Sequence, residues 1–124
     1  MPHKILIADD EPNILISLEY LMKREGFEVT VARDGQEALD AILGAPPDLV
    51  LLDVMMPRKT GLEVCQQVRS QAELQHVLIL LLTAKGRDTD VAKGLALGAN
   101  AYVTKPFSTK DLVAQVRALL AEAA

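Results

Sequence analysis

The sequence has few of the residues that stabilise small secreted proteins or stack on nucleic-acid bases. Its 124 residues include one Cys, two Phe, two Tyr and no Trp. The single cysteine, Cys65, leaves no partner for an internal disulfide and suits a reducing compartment, so we expect a cytoplasmic protein. The small number of aromatic rings offers few platforms for base stacking, which argues against nucleic acid as a ligand.

Long apolar runs and clusters of positive charge are also absent from the sequence. The longest apolar run, residues 77–82, is far shorter than the roughly 20 residues of a membrane-spanning helix, so we expect no membrane span. Asp9 and Asp10 interrupt the amino-terminal segment before an apolar signal-peptide region forms, which predicts a mature start. Lys and Arg are dispersed and the formal net charge is −4, so we expect no direct binding of nucleic acid.

The sequence does contain a regular alternation of strand-like and helix-like segments, and its length fits one domain over residues 1–124. Five short runs rich in Ile, Val and Leu have the length of β-strands, and a helical segment follows each run. Because strands that alternate with helices form parallel sheets, we predict an α/β fold of five βα units with helices on both faces. The predicted strands are residues 4–8, 28–32, 48–52, 77–82 and 101–104.

The helices are predicted from apolar spacing and from capping residues. Apolar residues recur at helical intervals in the first helical segment, residues 14–22, and in the last, residues 112–120. The three middle helices are indicated by residues that cap or begin a helix. These residues are Asp34 for the second helix, Thr60 with Glu63 as a capping box for the third, and Asp88 for the fourth.

Polar side chains stand at the carboxyl ends of four predicted strands. The carboxyl ends of parallel strands lie at one edge of a sheet, where ligands bind at the topological switch point, so we expect these side chains to converge. Carboxylates brought this close repel one another unless they are protonated, paired or bridged by a cation. The residues are Asp9 and Asp10 after the first strand, Asp53 after the third, Thr83 after the fourth and Lys105 after the fifth.

These residue types are suited to phosphoryl transfer with a bound magnesium ion. Mg²⁺ prefers oxygen ligands and is usually held by one or two carboxylates together with phosphate oxygens. An Asp carboxylate can also accept a phosphoryl group as an acyl phosphate. Lys105 and Thr83 would then supply a positive charge and a hydrogen-bond donor to the phosphoryl oxygens.

Four motifs carry a resemblance to a known family: ILIADDEP (residues 5–12), LVLLDVMMP (49–57) with Gly61, LLTAKG (81–86) and AYVTKPF (101–107). In these motifs and in their order the whole chain resembles the receiver domain of two-component response regulators, the CheY-like family. The resemblance implies a flavodoxin-like fold with strand order 2-1-3-4-5. It also implies a signalling switch that catalyses its own phosphorylation and dephosphorylation, and not a turnover enzyme.

The resemblance further implies roles for individual residues. Asp53 would accept a phosphoryl group from a histidine kinase, and Asp10, Asp53 and the backbone carbonyl of Met55 would ligate Mg²⁺. Asp9 would act mostly through water. The remaining implied features are contact of Thr83 and Lys105 with the phosphoryl group, a rotamer change of Tyr102 coupled to Thr83, and a cis bond between Lys105 and Pro106.

The implied partners are a sensor histidine kinase or phosphotransfer protein and a downstream output protein or fused domain. The signal would pass to this output protein or domain through the face formed by the fourth helix, fifth strand and fifth helix. In receivers attached to winged-helix DNA-binding domains this face forms a salt-bridged dimer. Four of the charges of that dimer are replaced here, so we expect no such dimer. The replacing residues are Thr89, Val91, Ala101 and Gln115, whereas Asp111 and Arg117 match the pattern.

Other departures from the family pattern predict properties of this chain. Met55 and Lys85 flank the site without an acceptor to orient an attacking water, so we expect slow hydrolysis of the phosphorylated form. Arg58 and Lys59 add two cations to the loop after the third strand, which suggests an acidic partner. Gly94 interrupts the fourth helix at a cost of about 1 kcal/mol, so we expect this helix to be weak and mobile, with Val91 and Leu95 among its few anchors.

The sequence lacks the features that three alternative functions require or imply. A phosphatase of the haloacid dehalogenase type needs a D-x-D motif, but Met55 stands where the second acid is required. A dinucleotide-binding domain needs a glycine-rich turn after the first strand, which here has the sequence DDEPN. A pseudo-receiver that only binds partners is disfavoured because the full acidic set is present.

Overall fold

A parallel sheet of five strands, in the order β2-β1-β3-β4-β5, organises the computed structural model, which describes residues 2–123. All four strand pairs are parallel. This confirms the predicted α/β fold and its strand order. The predicted domain of residues 1–124 also includes Met1 and Ala124, which lie outside the described residues. The elements are β1 (Lys4–Ala8), α1 (Pro12–Arg24), β2 (Glu28–Ala32), α2 (Gly35–Gly44), β3 (Leu49–Asp53), α3 (Gly61–Arg69), a 3₁₀ turn (Ala72–Leu74), β4 (Leu78–Ala84), α4 (Asp88–Ala96), β5 (Ala101–Lys105) and α5 (Thr109–Ala123).

Three of the strands end later than the sequence predicts. The parallel ladder continues through Asp53, which lies opposite Leu82, and through Thr83, which lies opposite Thr104. It ends where Ala84 pairs with Lys105. The predicted site residues on β3, β4 and β5 therefore belong to the strands themselves, because backbone pairing with a neighbouring strand extends each strand beyond its apolar run.

The sheet separates two hydrophobic cores, one on each face. Helices α2 and α3 pack over one face, and α1 and α5 pack over the other. Every residue of β3 is buried, as expected for a central strand covered on both sides. Cys65 lies in the first core and Met22 in the second, each with no exposed surface. No helix in residues 2–123 is long and apolar enough to cross a membrane.

The predicted helix caps are present at α2 and α3. The Asp34 side chain accepts a hydrogen bond from the Glu37 backbone N–H at 2.8 Å. The capping box of α3 is complete: the Glu63 N–H donates to the Thr60 hydroxyl, and the Thr60 N–H donates to the Glu63 carboxylate, each at 3.2 Å. These bonds satisfy amide groups that the first turn of a helix leaves free. They fix the two helix starts that flank the loop after β3.

Helix α4 is anchored differently from the expectation based on its sequence. Gly94 is its only fully buried residue, whereas Val91 is half-buried and Leu95 is 43% exposed. A Cβ atom on Gly94 would overlap the Leu81 side chain and lie 3.4 Å from Leu62 Cδ2. The glycine therefore allows the helix to approach β4, and Val91 and Leu95 are not the anchors that we expected.

Candidate functional site

Three carboxylates meet at the edge of the sheet where the strand order reverses between β1 and β3. Asp9 and Asp10 directly follow β1, and Asp53 is the last residue of β3. One carboxylate oxygen from each of the three residues lies within 4.8 Å of the others. Asp9 and Asp53 are buried, while Asp10 is exposed. The predicted convergence of these side chains is therefore present in the fold, at the usual ligand position of an open α/β sheet.

Lys105 extends from β5 into this acidic cluster. Its Nζ lies 2.9 Å from Asp9 Oδ2, 3.5 Å from Asp53 Oδ1 and 3.6 Å from Glu11 Oε1. Burial by itself would lower the pKa of the lysine, but the hydrogen bond to Asp9 and the charges of the surrounding carboxylates raise that pKa above its usual value. Lys105 therefore carries a positive charge at neutral pH.

The carboxyl group of Asp53 is difficult to ionise in this setting. Its pKa is raised to about 7, mainly by burial and further by the negative charge of Asp9. The charge of Lys105 and a hydrogen bond from the Met55 backbone N–H, at 3.3 Å, act in the opposite direction without cancelling it. One lysine thus does not neutralise the negative charge of the site.

The carboxylates have the composition and spacing of a site for a divalent cation. Their oxygens are the ligands that Mg²⁺ prefers, and a second positive charge would favour the ionised form of Asp53. Met55 follows two residues after Asp53, in the turn that donates the hydrogen bond to it. The residues present therefore fit a bound Mg²⁺ ion.

Thr83 and Tyr102 line the same small surface cavity. Thr83 is buried, and its hydroxyl donates only a long hydrogen bond, 3.4 Å, to the Ala84 carbonyl oxygen. Tyr102 is 43% exposed. Both residues line a cavity of about 380 Å³ that also borders the first turns of α4, including Val91. The two predicted switch residues therefore border one cavity next to α4.

The peptide bond between Lys105 and Pro106 is cis. Pro106 and Phe107 line a second cavity, of about 510 Å³, together with Ile14 and Leu18 of α1. This cavity opens beside Lys105 and Glu11, so it adjoins the acidic cluster. Neither the cavity nor the place of Glu11 beside Lys105 was predicted from the sequence, although Glu11 follows Asp10 directly in the chain.

In the loop after β3, one of the two cations, Arg58, lies near a carboxylate of the same chain. Arg58 has a backbone φ of 71°, in the left-handed region, and its Nη1 lies 3.6 Å from Asp34 Oδ2. The Arg58 side chain is nevertheless 65% exposed, and an exposed ion pair is weak, so the acidic partner stays a prediction. Across the site, Arg87 Nη2 lies 3.4 Å from Met55 Sδ, a contact that the sequence analysis did not identify.

Solved structures with the same fold include several receiver domains. A candidate response regulator from Chloroflexus aurantiacus is 37% identical, with a TM-score of 0.92 over 98% of this chain and 99% of that one. The receiver domain of a signal transduction histidine kinase from Syntrophus aciditrophicus is 31% identical, with a TM-score of 0.90 over 97% and 91% of the two chains. The chemotaxis protein CheY4 of Vibrio cholerae is 32% identical, with a TM-score of 0.88 over 95% and 98%.

The sequence motifs, the strand order and these structural matches agree with one another. In addition, the family model of the response regulator receiver domain matches residues 5–117, which is most of the chain. These findings agree with the acidic cluster at the switch point between β1 and β3. The chain therefore belongs to the family of CheY-like response regulator receiver domains.

Proposed function

We propose that this receiver domain is a signalling switch in which Asp53 accepts a phosphoryl group from a histidine kinase or a phosphotransfer protein. One observation carries the proposal: the carboxylates of Asp9, Asp10 and Asp53 converge within 4.8 Å, and Lys105 lies 3.5 Å from Asp53 Oδ1. A nucleophilic carboxylate, a cation and further acidic ligands are the groups that phosphoryl transfer to an aspartate requires.

Asp10, Asp53 and the backbone carbonyl of Met55 would hold the Mg²⁺ ion, with Asp9 acting mostly through water. When bound, the ion would neutralise negative charge on the carboxylates and the phosphoryl oxygens. The exposed side of the cluster is formed by Asp10, which leaves access from solvent. The buried Asp9 is the residue that holds Lys105 in place, through the contact of 2.9 Å.

Asp53, Lys105 and Thr83 would each have a separate role in the phosphoryl transfer. An Asp53 carboxylate oxygen attacks phosphorus while the bond between phosphorus and the donor imidazole nitrogen breaks. Lys105 supplies positive charge to the phosphoryl oxygens. The Thr83 hydroxyl is available as a donor because its present hydrogen bond, 3.4 Å to Ala84 O, is long and weak.

The signal would leave the site through α4, β5 and α5. Movement of the Thr83 hydroxyl toward a phosphoryl group would open space in the cavity of about 380 Å³ that Thr83 shares with Tyr102 and α4. An inward rotation of Tyr102 would fill that space and change the exposed face. An output protein or fused domain that recognises this face would then distinguish the two states.

The test is phosphorylation of the purified domain by acetyl phosphate in the presence of Mg²⁺, measured by intact mass. We expect one added phosphoryl group on the wild type and none on Asp53→Asn, because an amide is a poor nucleophile. The matched control is Asp111→Asn, at an exposed position on α5, which should be phosphorylated normally. A phosphoryl group on Asp53→Asn, added in a Mg²⁺-dependent reaction, would refute the proposal.

The metal-binding part of the proposal has its own test in thermal unfolding. Millimolar Mg²⁺ should raise the melting temperature, because an ion that binds only the native state stabilises it by mass action. Asp10→Asn removes one proposed ligand at an exposed position and should weaken that response. Identical melting curves with and without Mg²⁺ would show that the acidic cluster is not a magnesium site.

A further inference from the structure

We propose that Gly35, the first residue of α2, is a positioning residue that sets the loop between β3 and α3 against the acceptor site. This loop, residues 54–60, contains Met55, whose backbone N–H donates to Asp53 Oδ1 at 3.3 Å. The inference rests on the proposed function in one respect, since it assigns the loop backbone a part in holding the acceptor and its ion. Gly35 itself lies on α2, outside the acidic cluster of Asp9, Asp10 and Asp53.

The first observation is how closely α2 approaches the loop. Gly35 is buried, and its backbone N–H donates to the Pro57 carbonyl oxygen at 3.3 Å. A Cβ atom on Gly35 would overlap the Lys59 carbonyl oxygen and lie 2.6 Å from Lys59 Cβ. The overlap is with backbone and not with the end of a flexible side chain, so any larger residue would displace the loop itself.

The second observation is that the loop contains a residue with an unfavourable backbone conformation next to the start of α2. Arg58 has a φ of 71°, which is unfavourable for a residue with a side chain and persists only when the surroundings impose it. Asp34 supplies one such restraint, because its Oδ2 lies 3.6 Å from Arg58 Nη1 while its Oδ1 caps α2. The start of α2 therefore holds the loop at both Pro57 and Arg58.

The third observation is that the other end of the loop is fixed as well. The Gly61 N–H donates to the Val54 carbonyl oxygen at 2.9 Å. A Cβ atom on Gly61 would overlap the Asp53 carbonyl oxygen and lie 2.9 Å from Val54 Cα. A short loop closed at both ends has little freedom to absorb a displacement at Lys59. The displacement would reach Met55, and through it the hydrogen bond to Asp53.

The experiment compares Gly35→Ala with Gly44→Ala, a control in the same helix. A Cβ atom on Gly44 would meet no atom within 4 Å, so this variant adds the same methyl group without touching the loop. The first readout is the ¹H–¹⁵N spectrum of each protein without metal or phosphodonor. We expect the amide signals of Asp53 and Met55 to shift in Gly35→Ala and to stay in place in Gly44→Ala.

The second readout is a Mg²⁺ titration of the folded proteins, followed by the same amide signals. We expect Gly35→Ala to weaken Mg²⁺ binding by about tenfold, since changes to the groups that orient metal ligands typically cost roughly 10- to 100-fold in affinity. A role limited to stability would lower the melting temperature and leave the dissociation constant of the folded protein unchanged. Unchanged Asp53 and Met55 signals with unchanged Mg²⁺ affinity would overturn the inference.

If Gly35→Ala does not fold, Arg58→Gly tests the same connection without a steric clash. It removes the ion pair with Asp34 and accommodates the left-handed backbone. We expect the Met55 amide signal to shift or broaden in this variant, and an unchanged signal would overturn the claim that the start of α2 sets the position of the loop. The metal-free spectra test the positioning role even if the wild-type domain accepts no phosphoryl group. Failure of the proposed function would instead appear in the acetyl phosphate experiment.

Discussion

Lys105 Nζ, on β5, lies 2.9 Å from Asp9 Oδ2, just past the carboxyl end of β1. This contact connects the two strands across β3 and β4, which lie between them in the sheet. Asp9 has no exposed surface, and the lysine side chain is only 17% exposed. A buried carboxylate without a counter-charge is costly, so this contact balances much of the charge that the fold brings to the site. It also places a cation 3.5 Å from Asp53, the proposed acceptor.

The first prediction concerns the loss of this cation. Lys105→Met should lower the free energy of unfolding by on the order of 3 kcal/mol in metal-free buffer, because it leaves Asp9 buried and unpaired. Mg²⁺ should restore part of the loss by supplying positive charge. Denaturant unfolding with and without Mg²⁺ measures both effects, and Lys110→Met, at an exposed position on α5, is the control. Equal stability of the two variants would contradict the prediction.

The second prediction concerns the pH dependence of stability without metal. The folded-state pKa of Asp53 is raised to about 7 from an unfolded value of about 4, so its contribution to stability is fully present below pH 4 and is lost as the pH rises through 7. Asp53→Asn removes this loss. Its melting temperature should exceed that of the wild type by an amount that grows between pH 5 and pH 8.

Each kcal/mol corresponds to about 3 to 5 °C in a domain of this size, so the difference at pH 8 should be several degrees. Thermal melts in the presence of a chelator measure it, with Asp111→Asn as the control for a change of one charge. A difference that is constant or that shrinks as the pH rises would show that Asp53 does not have the assigned environment.

The third prediction is a long lifetime for the phosphorylated form. The Met55 side chain is apolar and 53% exposed, so it offers no group to orient an attacking water molecule. Met55→Asn should therefore speed the loss of phosphate at least several-fold, as followed by intact mass after removal of the donor. Leu43→Asn, which changes a similarly exposed residue of α2, should not change the rate.

The fourth prediction is that α4 opens more readily than α1. Only Gly94 is buried in α4, whereas Leu15, Leu18 and Met22 are buried in α1. Fewer buried apolar side chains leave less free energy to oppose local opening. Amide hydrogen exchange should show residues 88–96 exchanging faster than residues 12–24. Equal protection of the two helices would contradict this expectation.

The fifth prediction is that phosphorylation does not produce the salt-bridged dimer of winged-helix receivers. Arg117 matches the charge pattern of that dimer, but its Nη2 lies 2.7 Å from Glu25 Oε1 and its guanidinium lies 5.4 Å from the centre of the Phe27 ring. Its charge is therefore engaged within the chain. Sedimentation of the domain with Mg²⁺ and beryllofluoride, a phosphoryl mimic, should give a monomer, and a tight two-fold dimer on the α4-β5-α5 face would refute the prediction.

Much of the fold follows from local sequence patterns. The apolar runs give the five strands, and alternation with helices gives a parallel sheet, because each unit buries one sheet face under a helix. The capping box of Thr60 and Glu63 identifies the start of α3 from two side chains three residues apart. The convergence of Asp9, Asp10 and Asp53 follows as well, since parallel strands end at a common edge.

Tertiary packing decided the features that join distant segments. Lys105 contacts Asp9 across the sheet, Gly94 is buried because α4 approaches Leu81, and Gly35 lies against the backbone of Lys59. In sequence, an interior glycine suggests only a weak helix, whereas in the fold it permits close contact with another element. Local patterns determine which elements form. The distances between their side chains depend on how all the elements pack together, and that packing is a property of the whole chain.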